Sequence, residues 1–285
     1  MKLSFLDLGL LAADASVAET LAATVAYART IEDSGFDGIC LGEHHDHICA
    51  WSSCVPVISM VAENTERIMI RTSGALLLAY NPVALASDIS LLNARHGHRI
   101  ELGIARGVPT LNGNRAMLCG VESDRYDSVF ADKLKLLFYL LSSGKSHADL
   151  SILPAPSAGL DVALLGSGTK SYELANTFGA KYIHSLFHRF SSPQVPPGTS
   201  AVAVAGICGG GSNFIEERLS NFVAVSVTGG ADECWDQLTS IAAECAVEDV
   251  IFVDCGPPES RLETVRALAD AKERAARSGA VKIHA

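Results

Sequence analysis

The sequence predicts an α/β chain folded as a (β/α)8 TIM-type barrel, shortened after its sixth strand. Three observations predict it. The 285 residues lie near the usual length of one such barrel. Strand-like and helix-like segments alternate without hairpin signals, which implies parallel strands joined by helical crossovers. About eight strand positions follow one another, which favours a closed barrel over a doubly wound open sheet. No shift in composition marks a boundary, so residues 1–285 read as a single domain.

The elements follow in order. Leu3–Leu10, largely apolar, reads as a buried strand. Ser16-Val17-Ala18-Glu19 has the spacing of a capping box, and Val17, Leu21, Val25, Ala28 and Ile31 then recur on one helical face until Gly35. Phe36–Leu41 is a second strand, ending in Gly42-Glu43-His44-His45. Val55–Glu63 is helical and Arg67–Leu78 is a third strand. Asn81-Pro82 supplies a helix cap with proline at the first helical position, followed by Leu85, Ile89 and Leu92 on one face. Arg99–Ala105 is the fourth strand, ending in Arg106-Gly107.

The second half continues with a helix at Ser128–Leu141, a strand at Asp161–Leu165, a helix at Lys170–Thr177 closed by Gly179, and a strand at Lys181–Phe187. His188–Ser200 then carries three prolines and runs straight into the apolar strand Ala201–Ile207, leaving no room for a sixth crossover helix. Strand-like Phe222–Val227, a helix at Ala231–Cys245, a strand at Val250–Asp254 and a helix at Glu259–Arg277 finish the pattern.

Composition excludes several function classes. Hydrophobic residues make up 48% and charged residues 19%, an ordinary globular balance. A net charge of −10 argues against broad binding to nucleic acid or anionic membrane, although a local basic pocket for one phosphate remains compatible with it. Aromatic residues at 6% are too sparse for base-stacking platforms. The cysteines, at 40, 49, 54, 119, 208, 234, 245 and 255, form no C-x-x-C pair, and Cys49/Cys54 has no matching second half. They read as reduced thiols carrying no metal, in a cytoplasmic protein. Asp7 interrupts the apolar Leu3–Ala13 stretch, which argues against a signal peptide, and no other stretch approaches the ~20 apolar residues of a membrane span.

Function in a barrel sits where strands end, and three such ends are polar without a packing reason. The first is Glu43-His44-His45-Asp46-His47. Its imidazoles and carboxylates suit proton transfer near neutral pH, a solvated loop, or, through the H-x-H spacing at 45 and 47, a metal. The second is Arg106, whose planar fork suits a phosphate at the barrel mouth or a surface salt bridge. The third is the loop Gly166-Ser167-Gly168-Thr169-Lys170-Ser171, where small residues and hydroxyls at a helix N-terminus make an anion site. It matches neither a Walker loop nor G-x-G-x-x-G. Together with Arg106 it suggests a monophosphate held from neighbouring strand ends. Thr72-Ser73-Gly74 marks either a close backbone approach to a flat ring or a plain β-bulge.

These residues, in this order, resemble the bacterial-luciferase-like flavin monooxygenases. The resemblance is clearest over Leu3–Gly107, through GFDGICLGEHH, RIMIRTSGALLLAYNP and LLNARHGHRIELGIARG. It resumes at LLGSGTKSYELANTFGAKYIHSLF and more weakly at VTGGADECWDQL. It implies a barrel, commonly dimeric, that takes reduced FMN from a separate flavin reductase. O2 reacts there to a C4a-peroxyflavin that oxygenates a small, largely apolar metabolite. It implies a proton-transfer role for His44, flanked by Glu43 and His45. A phosphate grip is implied at Arg106 and Ser167–Ser171, and an unusual cis peptide at Ser73-Gly74 beneath the flavin ring. An F420-dependent oxidoreductase on the same fold and a catalytically silent flavin-binding protein are the rival readings.

Overall fold

A computed structural model describes residues 1–12, 14–45, 48–107, 119–142, 152, 154–155, 160–188, 193–210, 213–215 and 223–283. Its strands are β1 (Lys2–Asp7), β2 (Gly38–Leu41), β3 (Met69–Thr72), β4 (Ala75–Leu76), β5 (Ile100–Ala105), β6 (Asp161–Gly166), β7 (Lys181–Ser185), β8 (Ala201–Cys208), β9 (Val225–Gly229) and β10 (Asp249–Asp254). The helices are α1 (Val17–Asp33), α2 (Val55–Ala62), α3 (Pro82–His96), α4 (Tyr126–Ser142), α5 (Thr169–Phe178), α6 (Ala231–Glu244) and α7 (Arg261–Ile283).

The strands pair in parallel in the order β1, β2, β3, β5, β6, β7, β8 and β10, and β10 returns to β1, so the sheet closes on itself. With β4 extending β3, this is a closed barrel of eight strand positions with flanking helices. β9 lies outside the ring, beside the end of β8 at Ala205–Cys208. The segment expected as a strand at Phe222–Val227 therefore pads the barrel rather than building it, and Phe222 itself lies outside the described residues. Between β7 and β8 the described residues hold no helix, as the prolines require.

The alternation of side chains across each strand separates two cores. Phe5, Ile39, Leu41, Ile70, Ile100, Val202, Val204 and Phe252 point outward beneath the helices and join one apolar cluster. Leu6, Leu8, Cys40, Ala163, Ile183, Ala203, Ala205, Ile251 and Val253 fill the interior. The amino-terminal end of that interior is charged. Arg71 pairs with Glu101 and, at 3.1 Å, with Asp249, while Lys181 reaches Glu101 at 2.9 Å and Asp161 at 2.6 Å. Five strands are thereby tied together below the apolar layers. A buried charge needs such partners, because removing one leaves the other stranded.

Helix α1 begins with the expected capping box, Ser16 and Glu19 bonding each other's backbone. Its buried stripe differs from the expected one. Ala28 and Ile31 are buried, but Val17 is 48% exposed and Thr20, Thr24 and Tyr27 take the inner face. The reason is polar: the buried Asp7 carboxylate accepts from Thr24 Oγ1 at 2.8 Å and pairs with Arg261 at 2.9 Å, so the helix turns its donor inward.

The third strand also departs from a continuous Arg67–Leu78. Arg71 pairs with Glu101, yet Ala75 pairs with Ile104, so one extra residue is accommodated between them. The Ser73–Gly74 peptide there is cis. The Thr72 hydroxyl replaces the lost ladder bonds, donating to the Gly103 carbonyl at 2.6 Å and accepting from the Gly103 N–H at 2.8 Å. This close approach needs glycine at 103, because a Cβ would overlap the Thr72 carbonyl oxygen. Gly103→Ala is expected to destabilise the chain by about 3 kcal/mol, since both colliding groups are fixed in the sheet. Equilibrium urea unfolding checks this, and a loss below about 1 kcal/mol would contradict it.

Candidate active site

Every strand of the ring runs the same way, so the residues following β2, β3, β5, β6 and β7 all emerge at one rim. At the end of β2, Glu43 turns inward and its side chain is fully buried. One oxygen, Oε1, lies 3.0 Å from His45 Nε2 and 3.4 Å from the Leu76 N–H. The other, Oε2, accepts from the Tyr80 hydroxyl and lies 3.6 Å from Cys54 Sγ. Burial, then the neighbouring Cys54 and Glu43, push the Tyr80 phenol far above its ordinary range, so it remains a donor. Gly42 is held by its carbonyl to the Trp51 indole N–H at 2.8 Å, and that indole packs against Gly9, where a Cβ would come within 2.6 Å of the ring. The two sides of this loop are thus pinned, with half-buried His44 between Glu43 and His45.

Next along the rim, the cis Ser73–Gly74 peptide abuts the end of β5. A Cβ at Gly74 would lie 2.9 Å from the Ala105 nitrogen, and one at Gly107 would lie 3.1 Å from Leu76. Only small residues permit this seam.

Arg106 and the loop after β6 are brought together. Arg106 Nη1 lies 2.7 Å from Asp127 Oδ1, and Lys170 Nζ lies 2.5 Å from Asp127 Oδ2. Arg106 thus makes a salt bridge, the alternative to a phosphate contact, but its carboxylate, in the first turn of α4, is shared with a second cation. Hydrogen bonds from Lys170 and Arg106 hold the Asp127 carboxyl below its ordinary value. Two cations facing one carboxylate leave a unit of positive charge in excess. It sits at the N-terminus of α5, whose cap, Gly168, offers no side-chain bond to the exposed N–H groups. Ser171 is buried and lies against Gly166, where a Cβ would overlap its hydroxyl. Ser167 and Thr169 lie on the same turn, half-buried and exposed respectively.

Across the barrel, β7 ends in Ser185, and His188 follows three residues later. Ser185 Oγ lies 2.6 Å from His188 Nδ1, and the imidazole stacks on Phe187 with centroids 4.2 Å apart. Burial, and then the nearby His44, push the His188 imidazole down to about 4. Leu8, Ala205 and Val253 belong to the buried interior cluster, with Leu165, Phe187 and Ile207 packed against it.

His45 is committed to Glu43, and His47 and Asp46 lie outside the described residues. Among the described residues no three histidine, cysteine or acidic side chains gather as a metal site. Cys54 is buried against Glu43, and Cys49 is half-buried beside Leu10. No helix among the described residues is long and apolar enough to cross a membrane.

The sequence reading overlooked Tyr80, Asp127, Lys133 and His188. Tyr80 and His188 carried a usable signal, because each follows a strand on the functional rim. Asp127 and Lys133 carried none: both project from a helix, and only the closed barrel brings that helix to the rim.

Comparison with known proteins gives a consistent picture. Residues 1–193 match the sequence model of the family described as luciferase-like monooxygenase. The protein YwcH of Bacillus subtilis strain 168 is 30% identical over 197 residues, covering 66% of this chain and 57% of that protein. The N-acetyl-S-alkylcysteine monooxygenase of the same strain is 25% identical over 219 residues, covering 70% and 65%. The chain thus matches less than two thirds of either relative's length.

Among solved structures, apo-MsnO8 superimposes with a TM-score of 0.78 at 21% identity, covering 95% of this chain and 98% of that one. An F420-dependent secondary alcohol dehydrogenase gives 0.72 at 12%, covering 95% and 97%. The oxygenating constituent of 3,6-diketocamphane monooxygenase from Pseudomonas putida, in complex with FMN, gives 0.70 at 14%, covering 94% and 96%. Identities this low speak for the fold.

The His188 geometry has a measurable consequence. An imidazole held near 4, against its ordinary 6.5, stays neutral in the folded chain while the unfolded chain takes up a proton. Stability is therefore lost as pH falls from 6.5 towards 4. NMR titration of His188 should show a midpoint near 4, and a midpoint at 6.5 would contradict its burial.

Proposed function

The chain belongs to the luciferase-like monooxygenase family, and from that premise we propose that it is an FMN-dependent monooxygenase. It would take reduced FMN from a separate flavin reductase and use O2 to oxygenate a small, largely apolar molecule. Family membership supports an oxidoreductase, and neighbours of this fold include FMN-bound and F420-dependent proteins. A phosphate-bearing flavin is supported by one observation: Arg106 and Lys170, from different strand ends, are gathered at the uncapped N-terminus of α5 with more positive than negative charge. The Glu43-His44-His45 motif is what favours FMN over F420.

The residues present fit such a group. Arg106 and Lys170 would hold the phosphate in place of, or together with, Asp127. Ser171, Ser167, Thr169 and the N–H groups of the first turn at Gly168 would add donors. The glycine seam at Ser73-Gly74 would accept the flat ring against backbone. When bound there, reduced FMN supplies the electrons that let O2 react with an organic substrate.

The chain's own contribution is then positional. His44, held between Glu43 and His45, would give or take the proton at its imidazole nitrogen. The buried apolar residues Leu8, Ala205 and Val253 would help keep water from the reacting edge and support an apolar substrate.

The test is a set of binding and turnover measurements on the purified chain. Arg106→Ala should weaken FMN by about tenfold or more and leave riboflavin within about twofold, because only FMN carries the charged phosphate. Equal losses for both would reject the phosphate contact, and selective binding of F420 by the native chain would reject FMN. With NADH, a flavin reductase and O2, His44→Ala should keep FMN affinity within a few-fold while oxygenated product falls by about a hundredfold. Unchanged product formation would remove His44 from its role.

A further inference from the structure

We propose that Tyr80 is a positioning residue for the histidine loop: its hydroxyl, set in place by Lys133, holds Glu43 and through it the aim of His44 and His45. This rests on the flavin reading for its purpose, although the geometry stands by itself.

The argument begins at α4. Lys133 Nζ donates to the carbonyls of Leu78 at 2.6 Å and Tyr80 at 2.8 Å, and lies 3.5 Å from that of Leu77. These carbonyls belong to the short 3-10 turn Leu77–Ala79 and the residue that follows it, and an ammonium has three protons to give. The turn between β4 and α3 is therefore fixed from outside the barrel, and with it the backbone of Tyr80.

The Tyr80 hydroxyl then donates to Glu43 Oε2 and lies 3.3 Å from the Ser53 hydroxyl. Glu43 is a fully buried carboxylate, which must be surrounded by donors to stay in place. Its other oxygen receives His45 Nε2 at 3.0 Å. Glu43 and His45 are two residues apart, so their side-chain bond closes a ring around the backbone of His44. A ring of this kind fixes the direction in which His44 leaves the chain. Losing the Tyr80 hydroxyl leaves Glu43 Oε2 with the Cys54 thiol, at 3.6 Å, as its remaining donor among the described residues, and the loosened carboxylate can then rotate, taking His45 with it.

Histidine side-chain NMR on the full-length, isotope-labelled chain decides this, with the His45 signal assigned by its loss in His45→Gln. In the native chain His45 Nε2–H should be a protected donor. In Tyr80→Phe its exchange with solvent should speed by about tenfold or more, the scale of one lost hydrogen bond to a charged group, and the His44 ring signals should move with it. Lys133→Met should move the same signals in the same direction. Ser53→Ala, which removes the other partner of Tyr80, should leave them in place.

Unchanged His44 and His45 signals in Tyr80→Phe, or equal shifts in Ser53→Ala, would overturn the assignment. Should Tyr80→Phe fail to fold, unchanged signals in Lys133→Met would do the same. FMN affinity, followed by flavin fluorescence, should stay within about twofold in every variant, since none removes a phosphate donor. A native chain that binds no FMN would defeat the flavin reading while leaving the NMR comparison to decide the role of Tyr80.

Discussion

A parallel sheet that closes on itself has one rim at which every strand ends in its carboxyl direction, and that constraint organises the rest of this molecule. Here the closure is made by β10, which pairs with both β1 and β8. It places on one rim residues as far apart in sequence as Glu43, Ser73, Arg106, Lys170 and His188. The opposite end of the interior holds the charged cluster of Arg71, Glu101, Lys181 and Asp249. The cost of burying those charges is met by mutual pairing, which requires every strand to keep its register.

Within the rim the polar groups divide into two stations. One is electrostatic and exposed: Arg106 and Lys170 facing Asp127, where the excess charge is positive in a chain whose net charge is −10. The other is buried: Glu43 with His45, Tyr80 and Cys54, and across from them His188 with Ser185. The exposed station suits a mobile anion, since its partners can rearrange at little cost. The buried one suits fixed proton chemistry, because its donors and acceptors are already matched. Helix α4 serves both, with Asp127 at one station and Lys133 behind the other. That dual service explains why its side chains matter more than their helical position suggested.

Much of the fold was legible in the sequence. Alternation of apolar strands with capped helices points to the parallel order, and three prolines to the lack of a crossover helix among the described residues between β7 and β8. The glycines of the rim, at 42, 74 and 107, were visible as motifs, and their packing reasons emerge only from neighbours such as Leu8, Ala105 and Leu76. What remained illegible is what depends on distant partners. Apolar periodicity put Val17 on the buried face of α1, but a buried Asp7 needed Thr24. A continuous third strand was read where the pairing with β5 demands an extra residue. The seat of Tyr80 depends on Lys133, 53 positions away, and no local pattern encodes that.

The central claim is that the carboxyl-end rim is a single cleft that takes a flavin mononucleotide by its phosphate. A crystal structure of the chain with FMN tests it most directly. The account predicts the phosphate within hydrogen-bond reach of Arg106 and Ser171, the ring lying on the Ser73–Gly74 peptide, and His44 at its edge. A phosphate bound elsewhere, or Arg106, Ser171 and His44 facing separate openings, would contradict it.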